Sequence, residues 1–269
     1  MQARLFPDGE RLSAVMAITL LAYAGSRFIQ APGQVLALEL AGIYLPLQMS
    51  VNTAVALFVA GLTAAGVDWM LQSEDGAPRT SRFRHWTLPA MTAWVLSLLL
   101  GNLTFDLNWW ATLALCTLLL LAVIMGEFAS AQPEHRYHWL ASVVLRFLML
   151  GLFLILAITV RAVGLRLFLA LPAVALGAFA AFSRMQLLLP GQAWRPVQMA
   201  GLTFLCVQVA AALHYLPFSA LGYGLALLGL VFALNHFVSA LNLEQPWLAP
   251  AREGLITLGI FWALALLVR

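Results

Sequence analysis

Apolar residues run along this chain in long blocks, cut by short polar breaks, from Leu12 to Val268. A helix needs about 20 apolar residues to cross roughly 30 Å of hydrocarbon. On that measure the blocks read as helices over Leu12–Phe28, Gln34–Gln48, Val51–Leu71, Trp86–Thr104, Trp109–Ala129, His138–Val160, Leu165–Met185, Val197–Tyr215, Phe218–Leu241 and Arg252–Val268. Eight of these are comfortable spans and the last is marginal. Gln34–Gln48 is short, carries Glu39 and ends beside Pro46. Joined to the next block, it would make one helix about 57 Å long, far too long for a single crossing. The segment therefore spans as a short helix, re-enters or lies flat, with Pro46 marking the break.

The pattern predicts an all-α, polytopic transmembrane bundle of 9–10 helices with short loops, forming a single integral membrane domain over 1–269. Composition agrees: 63% of the residues are hydrophobic and 9% charged, against about a quarter charged in a soluble domain. Seven of the nine Trp (Trp69, Trp86, Trp109, Trp110, Trp139, Trp194 and Trp247) fall at the predicted helix ends, where an indole ring is buried and its N–H stays wet. An uncleaved first helix is favoured over a signal peptide, because Asp8 and Glu10 dilute the positive charge ahead of the Ala22-Tyr23-Ala24 triplet.

Charge changes the picture in two ways. The net charge is +3, but the arginines are scattered between apolar blocks, which sets nucleic acid aside and makes them topology signals. They place the loop 72–85, with Arg79, Arg82 and Arg84, in the cytoplasm and the C-terminus outside. All fourteen basic residues are Arg, so there is no P-loop lysine and no Schiff-base lysine. Cys116 and Cys206 lie in different blocks and offer neither a redox pair nor a zinc site. No cofactor or metal is expected; the Glu134-His135-Arg136-Tyr137-His138 cluster reads as a solvated loop.

A weak internal repeat is visible. Gly126-Glu127-Phe128-Ala129-Ser130-Ala131 resembles Asn235-His236-Phe237-Val238-Ser239-Ala240, with Gly66-Val67-Asp68-Trp69 a looser copy. This suggests a helical hairpin repeated over 51–104, 109–160 and 218–268. Small residues at every fourth position, Ala56, Ala60 and Ala64, then Ala173, Gly177 and Ala181, suit close helix packing within the molecule or across a homo-oligomer.

An ionisable side chain at a helix centre costs about 2.5–3.5 kcal/mol on insertion, so each needs a partner, a cavity or a route to the interface. Arg146 is the strongest case, roughly 12 Å along its helix, and Glu127 on the preceding helix is its expected partner. Asp68, Glu127, Arg146, Arg184 and His236 are candidates for a polar vestibule suited to proton relay or an anionic headgroup. Glu39 is a candidate buried acid.

Thr63-Ala64-Ala65-Gly66-Val67-Asp68-Trp69-Met70-Leu71, followed by His85-Trp86-Thr87-Leu88-Pro89-Ala90-Met91-Thr92-Ala93-Trp94, resembles an uncharacterised family of bacterial multi-pass membrane proteins. The resemblance implies a bacterial cytoplasmic (inner) membrane and no particular activity. The functional expectation is a small-molecule or lipid transporter-like protein with the bilayer as its surroundings. The alternatives are an integral-membrane enzyme acting on a lipid and a scaffold subunit of a membrane complex. Enzyme motifs such as GxSxG and HExxH are absent from the sequence.

Overall fold

The computed structural model describes residues 8–26, 34–40, 43–49, 51–71, 85–101, 103–131, 136–188 and 195–268, with backbone alone for residues 26, 34–40, 43–49 and 51–53. In lipid every backbone N–H and C=O must pair within the protein, so apolar blocks of this length fold as helices. Nine α-helices form among the described residues: α1 Gly9–Ser26, α2 Val51–Leu71, α3 Thr87–Gly101, α4 Leu107–Ala131, α5 His138–Ala162, α6 Leu167–Leu187, α7 Pro196–His214, α8 Ala220–Asn242 and α9 Leu248–Leu267. Seven of them, all but α1 and α3, are long and apolar enough to cross a bilayer by length and composition. The protein is thus a multi-pass, helical integral membrane protein.

Four expectations shift. Gln34–Gln48 is not a helix: β1 (Gln34–Leu40) and β2 (Ile43–Met49) pair antiparallel, with Gln34 opposite Met49 and Glu39 opposite Tyr44. A short apolar run does not distinguish helix from strand, and two residues between strands is the commonest hairpin spacing. Pro46 sits opposite Ala37, a position open to proline because a two-stranded sheet consists of edges. Trp86–Thr104 yields a helix of only 15 residues, about 22 Å long and short of the hydrocarbon thickness. The first block gives an 18-residue α1 that begins at Gly9, drawing Glu10 and Arg11 into its first turn. Arg252–Val268, marginal by its sequence, becomes the 20-residue α9.

The chain folds as two compact units, residues 1–138 and 139–269. In the first, α2 packs on α1 and α3, and α3 on α4. Val15, Tyr23, Val59, Val67, Leu96, Trp109, Leu120 and Phe128 form a common core, and the Tyr23 hydroxyl donates to the Ala93 carbonyl at 2.8 Å. Trp109, expected at the interface, is 1% exposed, while Trp69, Trp110, Trp139 and Trp247 are exposed. In the second unit, α6 and α8 both pack on α7, and α9 lies against α8. Pro196 opens α7, where a missing N–H costs nothing, and Ser219 caps α8 by accepting from the Gly222 N–H at 3.0 Å.

Candidate functional site

In each unit several of the charges that the apolar helices carry find definite partners among the described residues. Glu127, near the end of α4, is wholly buried, and its Oε2 lies 2.7 Å from Nδ1 of His85, just ahead of α3. The next residue, Trp86, donates its indole N–H to Oδ1 of Asp68 on α2 at 3.2 Å. Two adjacent side chains thereby hold acids on two different helices. The Arg11 guanidinium reaches the same end of α2, donating to the Trp69 carbonyl at 3.0 Å and lying 5.0 Å over its ring.

The second unit contains a cleft of about 260 Å³ between α5 and α8, floored by Met185 of α6. Helical spacing builds both walls. Val143, Phe147 and Leu150 share one face of α5 with Arg146, while Phe232, Asn235, His236 and Ser239 share one face of α8. Arg146 donates from Nη2 to the carbonyl of Leu188, which caps the end of α6. The negative end of a helix dipole is a natural seat for a cation. Its Nε is buried without a hydrogen-bond partner. His236 Nε2 lies 3.0 Å from Glu253 Oε2 on α9.

Behind the cleft runs a chain of amides. Gln186 Nε2 donates to Asn235 Oδ1 at 3.1 Å and to Ser239 Oγ at 3.0 Å. Asn242 Nδ2 donates to Gln186 Oε1 at 3.5 Å, and Arg195 donates to Asn242 Oδ1 at 3.0 Å.

Of the five vestibule candidates, the structure brings Arg146 and His236 to one cleft. Arg184 is buried at 1% exposure in the last turn of α6. Asp68 and Glu127 belong to the first unit and are held there by Trp86 and His85. All three repeat positions, Asp68, Glu127 and His236, engage a side chain from another segment. Glu39 lies in β1, and its side chain, with those of Gln48 and Asn52, is outside the described residues, as are Arg79, Arg82, Arg84, Glu134 and His135. Among the described residues no three His, Cys, Asp or Glu side chains gather as a metal site would require.

Sequence reasoning missed Gln186 and Asn242 and the roles of Asn235 and Ser239. An uncharged amide does not carry the insertion cost that singles out an ionisable side chain, although it too must find a hydrogen-bond partner. A polar residue recurring every third or fourth position, Asn235, Ser239 and Asn242, is the signal that could have found them.

No curated protein and no solved structure matches the chain. The profile of a family described as proteins of unknown function, DUF5656, matches residues 31–268. The chain belongs to that family.

Proposed function

We propose that this is a transporter-like membrane protein that handles a small amphiphile, a lipid or a molecule like one, at the cleft of its second unit. One observation carries the reading: Arg146, Asn235, His236 and Ser239 open onto the same space as Val143, Phe147, Leu150 and Phe232. A cleft with a few convergent polar groups and apolar walls is what a ligand with a polar head and an apolar body requires. The resemblance implies a bacterial cytoplasmic membrane as the setting, and the arginine pattern fits loop 72–85 inside and the C-terminus outside. Reconstituted into vesicles with a fluorescent phospholipid, the wild type should speed exchange of that lipid between leaflets, and Arg146→Gln should slow it about tenfold. Exchange no faster than in protein-free vesicles would remove the transport reading.

A second reading, an integral-membrane enzyme on a lipid substrate, is favoured by the two acid–histidine pairs, His85–Glu127 and His236–Glu253, each within hydrogen-bond reach. Such pairs are the components of general acid–base catalysis. If a lipid-modifying activity is found and survives both Glu127→Gln and His236→Ala, neither pair is its catalytic centre.

A further inference from the structure

We infer that the cleft between α5 and α8 binds a phosphate ester, the headgroup of an anionic phospholipid, with Arg146 as its cationic anchor and Asn235 as a fixed neutral donor. The inference rests on the amphiphile reading above and names the ligand's chemical class.

The polarity of the site follows from one residue at the far end of the amide chain. Arginine can only donate hydrogen bonds, so Arg195 fixes the Asn242 oxygen as the acceptor and turns its NH₂ group toward Gln186. Gln186 then receives on Oε1 and must donate from Nε2, to Asn235 Oδ1 and Ser239 Oγ. That occupies the acceptor oxygen of Asn235 and leaves its NH₂ group for the cleft. Gln198 reinforces the order, exchanging hydrogen bonds with Asn242 at 3.4 and 3.3 Å.

A cleft whose polar lining consists of a guanidinium, a carboxamide NH₂, an imidazole and a hydroxyl, with no carboxylate, selects an anion. Glu253 is exposed, bonds to the His236 imidazole and is not among the residues that line the space. A guanidinium fork matches the oxygens of phosphate or carboxylate, and Arg146 still has its Nε uncommitted.

Size points to a lipid. About 260 Å³ is less than the roughly 300–1,000 Å³ that encloses a drug-sized molecule, so only a headgroup fits inside. The apolar remainder must lie outside, and the surface there suits it: Phe147 on the cleft edge is 70% exposed, with Val144 and Leu140 exposed on the same helix.

The test is lipid binding by the full-length protein in detergent, read by native mass spectrometry with phosphatidylglycerol, phosphatidic acid and phosphatidylcholine. The wild type should retain the two anionic lipids over the zwitterionic one. Arg146→Gln should weaken their binding about tenfold, and Asn235→Asp, which puts a carboxylate in the cleft, should abolish the preference. Arg252→Gln, which removes an exposed arginine outside the cleft, should bind as wild type. Thermal unfolding identifies any variant that fails to fold, and Asn235→Asp decides if Arg146→Gln does. Displacement of bound lipid by millimolar inorganic phosphate would make this a site for free phosphate and overturn the lipid assignment. Unchanged preference in both folded variants would overturn the site itself. Selective binding without leaflet exchange would remove the transport reading alone.

Discussion

Nδ1 of His85 and Oε2 of Glu127 stand 2.7 Å apart across 42 positions of sequence, with the carboxylate shut away from solvent. Losing a hydrogen bond between buried side chains costs about 1–3 kcal/mol. His85→Ala should therefore destabilise the first unit by about 1–3 kcal/mol, and the double variant with Glu127→Gln should lose less than the two single losses combined. Unfolding of the two single variants and the double variant in mixed micelles measures both quantities; additive losses would show that the pair does not interact.

The hairpin makes an opposite prediction to a ten-span topology. Its ends are paired, Gln34 opposite Met49, and an open two-stranded sheet has edges that hydrocarbon does not tolerate. In a background lacking Cys116 and Cys206, Gln34→Cys and Met49→Cys should react with an impermeant thiol reagent from the same side of the membrane. Reaction from opposite sides would mean that the segment crosses.

Helix α9 docks on α8 at glycines. A Cβ on Gly229 would collide with the Cβ of Phe261, and one on Gly222 would stand 2.7 Å from the Ala265 carbonyl oxygen. Close backbone approach at small residues is the usual means of helix packing in membranes. Gly229→Ala should cost about 1–3 kcal/mol by overpacking and raise protease cleavage in the 243–247 turn. Gly201→Ala, where an added Cβ meets nothing, should leave cleavage unchanged.

Asp106 lies ahead of α4 and caps it, its Oδ1 accepting from the Trp109 N–H at 3.1 Å. That bond, with help from Thr104 and Asn108, holds the Asp106 carboxyl below its ordinary range. A depressed carboxyl contributes stability above its unfolded pKa and loses it as pH falls through the folded value. Asp106→Ala should therefore melt below wild type at neutral pH, and the gap should close in acid below the ordinary aspartate range. A gap that persists there would show that the carboxylate is not the source.

Much of the fold is legible because lipid imposes one rule on every span. The block Val51–Leu71 is α2, and Val197–Tyr215 and Phe218–Leu241 lie within two residues of α7 and α8. The hairpin is not legible, since a mostly apolar run of seven residues satisfies strand and helix alike. For the site, burial cost singles out Arg146 and the repeat singles out His236, and both line the cleft. Partners are harder to read. Glu127 takes His85 and Arg146 takes the Leu188 carbonyl, contacts set by helix packing rather than by sequence spacing.

The most direct measurement is an experimental structure in nanodiscs of phosphatidylglycerol and phosphatidylcholine. Phosphate density within hydrogen-bonding distance of Arg146 and the Asn235 NH₂, with acyl density along Phe147, is the predicted result. A collapsed cleft, with Arg146 and Asn235 bonded only to protein groups, would contradict the account.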